Sequence, residues 1–360
     1  MNKIKLFIRK ILQPLMLLGY QFIKEKKETD SDGRPFKKGI SAVISMKNED
    51  YTILLALKSL IGFADEIIVI DNGSTDQSLK LVQSFKTNYS QFVKVVIIEM
   101  PDALLGECRN AGLKASTYCW HLRWDADMVA YSNGSNDIKK LKEEIMKSST
   151  PRTYQLSRLN LYGDLQHTMG DVREPGEPWL VWNTKDLNYR EFGKFDALKI
   201  PYYYKQIIHT DDFIFHCSGT KSIDNLLHRF HYFTWREYYN YFNDVNRPEI
   251  INNFDKFKSA RNLYLFDTNE EKLLHYRYNK QLTSQFRQIS KADFNYMPQV
   301  IEEENKNENR RFKVIYLDNK PFFRLDNQDT TLKNWEEIKD DWNIQTFFEK
   351  IKQENHLLYK

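Results

Sequence analysis

The sequence predicts an α/β protein: a mixed sheet flanked by helices, with a mainly helical C-terminal extension. Three observations carry that expectation. Between residues 39 and 130, short β-branched runs alternate with stretches of helical periodicity, the pattern of parallel strands joined by right-handed crossovers. Polar side chains stand directly after three of those runs, where an open sheet binds its ligands. Toward the C-terminus the alternation gives way to charged, aromatic, helical sequence.

At the N-terminus, Lys3, Lys5, Arg9 and Lys10 precede an apolar run over 11–23 that Gln13, Pro14 and Gln21 interrupt, and Lys24, Lys26 and Lys27 follow it. The run is too short and too broken to span a bilayer, which takes roughly 20 apolar residues, and it lacks the small-residue cleavage site of a secretory signal. Two readings stay open: a basic-flanked amphipathic helix lying on a membrane surface, or a helix packed on the domain. Residues 25–38 read as a polar linker, which sets 1–38 apart.

The first strand is expected at 40–46, running into Met46-Lys47-Asn48-Glu49, with a helix over 51–63. The second, at 67–70, ends at Asp71 and the turn Asn72-Gly73-Ser74. A helix over 75–85 follows, with Ser74 or Thr75 placed to cap it. A strand at 93–98, a helix at 104–116 and a strand at 118–124 lead into Asp125-Ala126-Asp127. Asn48-Glu49, Asp71 and Asp125 therefore share one sheet edge. His121 and Arg123 break what should be a near-continuous apolar strand if both faces are covered. Either the strand is less buried than its neighbours, or those two side chains serve the site.

Beyond it the pattern predicts a helix at 136–146, a strand at 154–162, a polar Gly- and Pro-containing loop over 163–178 and a strand at 179–182. A short strand at 213–216 ends in His216, and a helix covers 222–243. Residues 302–310 read as an exposed loop, 312–317 and 322–325 as a hairpin turning at Asp318-Asn319, and 332–358 as a closing helical segment.

Composition bounds the function. With 28% charged and 41% hydrophobic residues the chain is not mostly disordered. A formal charge of +4 lacks the basic footprint of a nucleic-acid binder, so no nucleic-acid partner is expected. Cys108, Cys119 and Cys217 show no CxxC spacing, which fits a reducing compartment and argues against structural zinc. Aromatic residues crowd the second half, either as sugar-binding surface or as core.

Residues 39–130 resemble the nucleotide-binding half of family 2 glycosyltransferases, which have the GT-A (Rossmann-like) fold. The matching segments are Asn48-Glu49, Glu66 through Asp71 with Gly73-Ser74-Thr75-Asp76, Arg109-Asn110-Ala111-Gly112, and Asp125-Ala126-Asp127. The resemblance implies a glycosyltransferase domain over 39–235, with 39–130 as its nucleotide half and 131–235 as its acceptor half, and an extension over 236–360. It implies a metal-dependent, inverting transfer from a nucleotide-sugar donor, a UDP-sugar first, to a glycan, lipid-linked or protein acceptor. The product would be a surface polysaccharide or glycoconjugate, made in the cytoplasm and at the inner face of the membrane through peripheral contact.

The same resemblance implies roles. Asp127 and Asp125 would hold Mg2+ or Mn2+, with Asp125 also facing the ribose, and His216 would be a third metal or diphosphate ligand. Asp71 would accept a hydrogen bond from the base, Arg109 would position the base or diphosphate, and Asn48 and Glu49 would line the nucleotide pocket. The acceptor's proton needs a carboxylate base, for which Asp196 and Glu177 are the candidates. Each assignment has a plain counterpart: turn and cap residues over 71–76, a surface ion pair for Arg109, a structural histidine for His216. A nucleotidyltransferase would carry a glycine-rich basic signature after the first strand, where Met46-Lys47-Asn48-Glu49 stands. A nucleotide-sugar or glycan binder without turnover is the alternative.

Overall fold

The computed structural model describes residues 3–101, 103–132, 134, 136–162, 165–192, 195–220, 286–288, 298–306, 315–317, 320–324 and 332–333. The chain begins as helix α1 (Lys3–Lys27). An alternating half follows: β1 (Lys37–Met46), α2 (Ile53–Ser59), β2 (Glu66–Asp71), α3 (Ser78–Asn88), β3 (Lys94–Glu99), α4 (Leu105–Ala115) and β4 (Tyr118–Asp125). These four strands are parallel, in the order β3-β2-β1-β4.

The next segment is β5 (Met128–Ala130), α5 (Ile138–Ile145), β6 (Arg152–Tyr162), β7 (His167–Trp182), β8 (Asn188–Phe192), β9 (Phe195–Lys199) and β10 (Lys205–Gly219). It extends the same sheet as β4-β7-β6-β10-β5. There β7 runs antiparallel to β4 and β6, β10 is parallel to β6, and β5 is antiparallel to β10. The mixed α/β architecture expected from the sequence is the one observed. A β8–β9 hairpin lies off the sheet, β11 (Phe286–Gln288) pairs with β7, and α6 (Gln299–Asn305) and a small sheet of β12 (Ile315–Leu317), β13 (Lys320–Arg324) and β14 (Leu332–Lys333) complete the described elements.

Both faces of the parallel half are covered, which is why its central strands β1 and β2 are largely apolar. Ile40, Ala42, Ile44, Ile67 and Val69 pack with Leu57, Val82 and Phe85 from α2 and α3. Val43, Ile68 and Ile70 face the other way, against Cys108 of α4. At Gly112 a Cβ would stand 2.2 Å from Val43 Cγ1, so glycine is what lets α4 lie this close to β1.

β4 obeys the two-residue period of a strand. Trp120, Leu122 and Trp124 enter the large core, while His121, Arg123 and Asp125 lie on the opposite face. The strand is buried in spite of His121 and Arg123, because α4, β8 and β9 cover that face with polar partners.

Several elements differ from expectation for local reasons. The helix after β2 starts at Ser78, not residue 75, because Asp76 Oδ1 accepts the Ser78 N–H and Asp71 accepts from Ser74, which holds the intervening residues in a turn. Within the expected loop over 163–178, residues 163–164 lie outside the described residues and 167–178 are strand. Their glycines and prolines are absorbed by register shifts between β6 and β7. The strand ending at His216 is much longer than 213–216. The stretch 302–310 overlaps α6, whose Ile301 is buried in a second core with Phe215 and Cys217. The linker over 25–38 contains a folded turn, in which Asp30 Oδ1 accepts the N–H groups of Asp32 and Arg34.

The hairpin is present with different bounds: 315–317 pairs with a strand that begins at Lys320 rather than 322, and 312–314 and 325 lie outside the described residues. The turn at 318–319, the helix over 222–243, most of 332–358 and the division at 235 lie outside the described residues.

Candidate active site

β1 sets the level of the site. Its Ser45 is in register with Asp125 of β4, and its Met46 with Asp71 of β2, so both carboxylates leave the sheet at the same edge. The loops after β1 and β2 are tied to each other there. Asn48 adopts φ +56°, a left-handed conformation that asparagine tolerates better than most residues. Its Oδ1 accepts the Thr75 N–H at 2.8 Å, while its own N–H donates to Ser74 Oγ and that of Glu49 to Ser78 Oγ. Asp71 is buried and accepts from the Ser74 hydroxyl.

Asp127 sits in the tight turn between β4 and β5. Trp124 Nε1 clasps that turn by donating to the Met128 carbonyl at 2.9 Å. From the other side, the Cys217 N–H donates to the Asp127 carbonyl at 2.7 Å, and His216 pairs with Met128. This brings His216 Nε2 to 3.4 Å from Asp127 Oδ1, and donor atoms of Asp125, Asp127 and His216 all lie within 4.8 Å of one another. Asn160 of β6, in register with His216, holds His216 Nδ1 with its amide oxygen at 2.7 Å.

The Asn160 amide oxygen accepts a proton carried on Nδ1, which leaves Nε2 as the ring atom facing the Asp127 carboxylate. Oxygen, oxygen and imidazole nitrogen, oriented by a carbonyl acceptor behind the imidazole, form a donor set that fits a divalent ion.

Beside this cluster the polar face of β4 carries a charged network. Arg109 of α4 is almost sealed from water; Nη2 donates to Asp125 Oδ1 at 2.6 Å and Nε lies 2.7 Å from Asp196 Oδ2. Arg123 contacts Asp196 at 3.9 Å and Glu177 at 3.0 Å, and Arg158 reaches Glu177 at 3.5 Å. The guanidiniums of Arg123 and Arg158 lie over the Trp179 ring, 4.8 and 5.4 Å from its centroid. His121 Nε2 meets the Tyr189 hydroxyl at 3.0 Å.

Protonation follows from these neighbours. Burial disfavours the charged form of Asp125, but Arg109 and Arg123 outweigh it and hold the carboxyl down at about 2. Burial also opposes the charge on Arg109, yet Asp125 and Asp196 raise its pKa. His121 is pushed down to about 3 by burial and by the same two guanidiniums, so it is a neutral imidazole. Burial pushes Tyr189 up to about 12.

Residues 41–147, from within β1 to just past α5, match the family model described as Glycosyl transferase family 2. That segment is similar to family 2 glycosyltransferases. A search of curated proteins finds no match. Among solved structures, residues 1–349 of S. aureus TarS are similar at 14% identity, over 82% of this chain and 99% of that one, with a TM-score of 0.34. The mannosyltransferase PcManGT from Pyrobaculum calidifontis, in complex with GDP-Man and Mn2+, is similar at 11% identity over 67% of this chain and 77% of that one, with a TM-score of 0.38. Glucosyl-3-phosphoglycerate synthase from Mycobacterium tuberculosis, with Mn2+, UDP and phosphoglyceric acid, is similar at 20% identity over 35% of this chain and 43% of that one, at 0.25. At these scores the likeness carries no functional argument.

The family 2 match holds Asn48, Glu49, Asp71, Arg109, Asp125 and Asp127, and ends before β6. His216, Glu177 and Asp196 come from beyond it, on β10, β7 and β9. The structure gathers Asp125, Asp127 and His216 in one cluster and joins Arg109, Asp196 and Glu177 to it through ion pairs. Asn48, Glu49 and Asp71 stand at the neighbouring strand ends. Sequence reasoning missed Asn160, Arg158 and Tyr189. Only the strand pairing of β6, and the packing of β8 beside α4, bring them in. His121 and Arg123 did leave a signal, as polar interruptions in an apolar strand.

Proposed function

We propose that the protein transfers a sugar, with inversion, from a nucleotide-sugar donor, using a divalent cation held by Asp125, Asp127 and His216. The convergence of those three side chains at the strand ends of a family 2 domain carries the reading. Bound there, a divalent ion supplies positive charge against the diphosphate leaving group. An imidazole in the donor set favours Mn2+ over Mg2+, which prefers oxygen alone.

In this reading Asn48, Glu49 and Asp71 line the nucleotide pocket, with Asp71 as acceptor toward the base. Arg109 is already committed to two carboxylates and serves to aim Asp125. Glu177, whose side chain is 41% exposed, takes the acceptor hydroxyl's proton, whereas Asp196, 2% exposed, is the counter-ion that keeps Arg109 charged. The acceptor, a glycan, lipid-linked sugar or protein, would lie on the side of β6, β7 and β10, and the product would be a surface glycoconjugate made in the cytoplasm.

Turnover of a sugar-nucleotide panel with Mn2+ tests the reading, with nucleoside diphosphate release as the readout. Asp127→Asn is expected to abolish release; unchanged release would overturn the metal role. Donor binding by the native protein without any turnover would favour a binding protein instead.

A further inference from the structure

α1 is docked on one side only. Gln13 Nε2 donates to the Tyr204 carbonyl at 2.7 Å, Tyr20 stacks on Tyr203 and donates to Glu28, and Lys27 pairs with Asp186. Glu28 also accepts from Trp182 Nε1 of β7, so the helix is fixed to the sheet. The opposite side carries Leu15, Leu18 and Phe22, 64%, 62% and 91% exposed, and Leu12, Met16 and Ile23 are exposed on its flank. Leu15, Leu18 and Phe22 follow the i, i+3, i+7 spacing of one helical face, and Ile4, Ile8 and Ile11 continue that spacing toward the N-terminus. Apolar residues concentrated on one outward face of an anchored helix mark a docking surface.

Charge decides what it docks on. Residues 1–27 hold seven basic residues, Lys3, Lys5, Arg9, Lys10, Lys24, Lys26 and Lys27, against one acid, Glu25. A second copy would bring like charges together. A surface of anionic phospholipid offers the opposite charge at the headgroups and an apolar layer beneath. No described helix is long and apolar enough to cross a membrane. We infer that α1 is an interfacial helix that seats the protein on an anionic lipid surface, with Leu15, Leu18 and Phe22 inserted and the basic residues outside the Lys24–Glu28 and Lys27–Asp186 pairs at the headgroups. The glycosyltransferase reading does not depend on it.

Flotation of the purified full chain tests this, with phosphatidylcholine vesicles alone and with vesicles about one third phosphatidylglycerol. Binding is expected to the anionic vesicles, weaker to the neutral ones, and reduced by about 0.5 M salt. The double substitution Leu15→Asp with Phe22→Asp is expected to lower binding at least about tenfold. Both residues face away from the docked side, so an unchanged Tm keeps the comparison fair, and Leu15→Ser with Phe22→Ser serves if the aspartates lower it. Failure of the native chain to float with anionic vesicles, or equal flotation of the variants, would overturn the proposal. So would a dimer, seen by sedimentation equilibrium, that these substitutions dissociate.

Discussion

Arg109 is a buried cation shared by two carboxylates at 2.6 and 2.7 Å, and their environments are unequal. Asp196 is enclosed; Asp125 opens toward Asp127 and His216. Asp196→Asn removes one of the two anions that compensate the guanidinium and is expected to cost on the order of 3 kcal/mol, read as a lower urea midpoint at unchanged m-value. Glu177→Gln, at a half-exposed position, should change stability by less than about 1 kcal/mol while lowering kcat roughly 10²- to 10⁴-fold. Equal losses of kcat in both variants with intact folding would reassign the base. His121 adds a pH signature. Its folded pKa of about 3 lies below the ordinary 6.5, so between those values the unfolded chain binds the extra proton. The stability held by the neutral imidazole is complete above about pH 6.5 and declines as pH falls toward 3, by up to about 1.4 kcal/mol per pH unit. His121→Gln should flatten that slope between about pH 6 and 5 in denaturant titrations, above the range where most carboxylates titrate.

At the scale of elements, the contact between α4 and β1 makes a sharp prediction. Alanine in a helix interior normally improves on glycine by about 1 kcal/mol. At Gly112 the added methyl would meet both Val43 methyl carbons, at 2.2 and 3.1 Å, so Gly112→Ala should destabilise by about 1–3 kcal/mol. Placing Val43→Ala in the same chain should recover part of the loss, measurable as a coupling in a double-mutant cycle. The elements that the sequence revealed best are those whose burial is uniform: β2 is apolar from Ile67 to Ile70 because helices cover it on both sides. The element it hid is β7. Gly170, Pro175, Gly176 and Pro178 are loop signals by local chemistry, and pairing with β6 and β11, partners the local sequence does not announce, makes that stretch a strand. The start of α3 was misplaced for a similar reason, since Asp76 rather than Ser74 or Thr75 supplies the oxygen that ends the turn.

Across the whole molecule, the site joins a parallel half to a mixed one. Asn48, Asp71 and Asp125 were legible as one edge because parallel strands end together, a relation that alternation alone predicts. His216 was legible as the polar residue closing an apolar run, although the strand itself continues to Gly219. Asn160 and Tyr189 were not, because an asparagine in β6 or a tyrosine in β8 has no special spacing; the long-range register of the sheet selects them. If the three donors act as one set, Mn2+ should raise the Tm of the native chain, with about 2.7 kcal/mol of stabilisation at a hundredfold excess over Kd. Asp127→Asn and His216→Ala should each remove that shift, and Asn160→Ala should weaken Mn2+ binding roughly tenfold or more by freeing the imidazole to turn.

The hydrogen bond from the Cys217 N–H to the Asp127 carbonyl has a consequence for how the protein is made. Synthesis proceeds from the N-terminus, so Asp125 and Asp127 leave the ribosome well before β10. Until that strand slides between β5 and β6, the third donor and its asparagine brace are missing, and the turn holding Asp127 lacks one of its two clasps. If the three donors hold an ion, its capture comes late in maturation, after the long-range half of the sheet has closed, and metal occupancy becomes a marker of chains whose folding is finished.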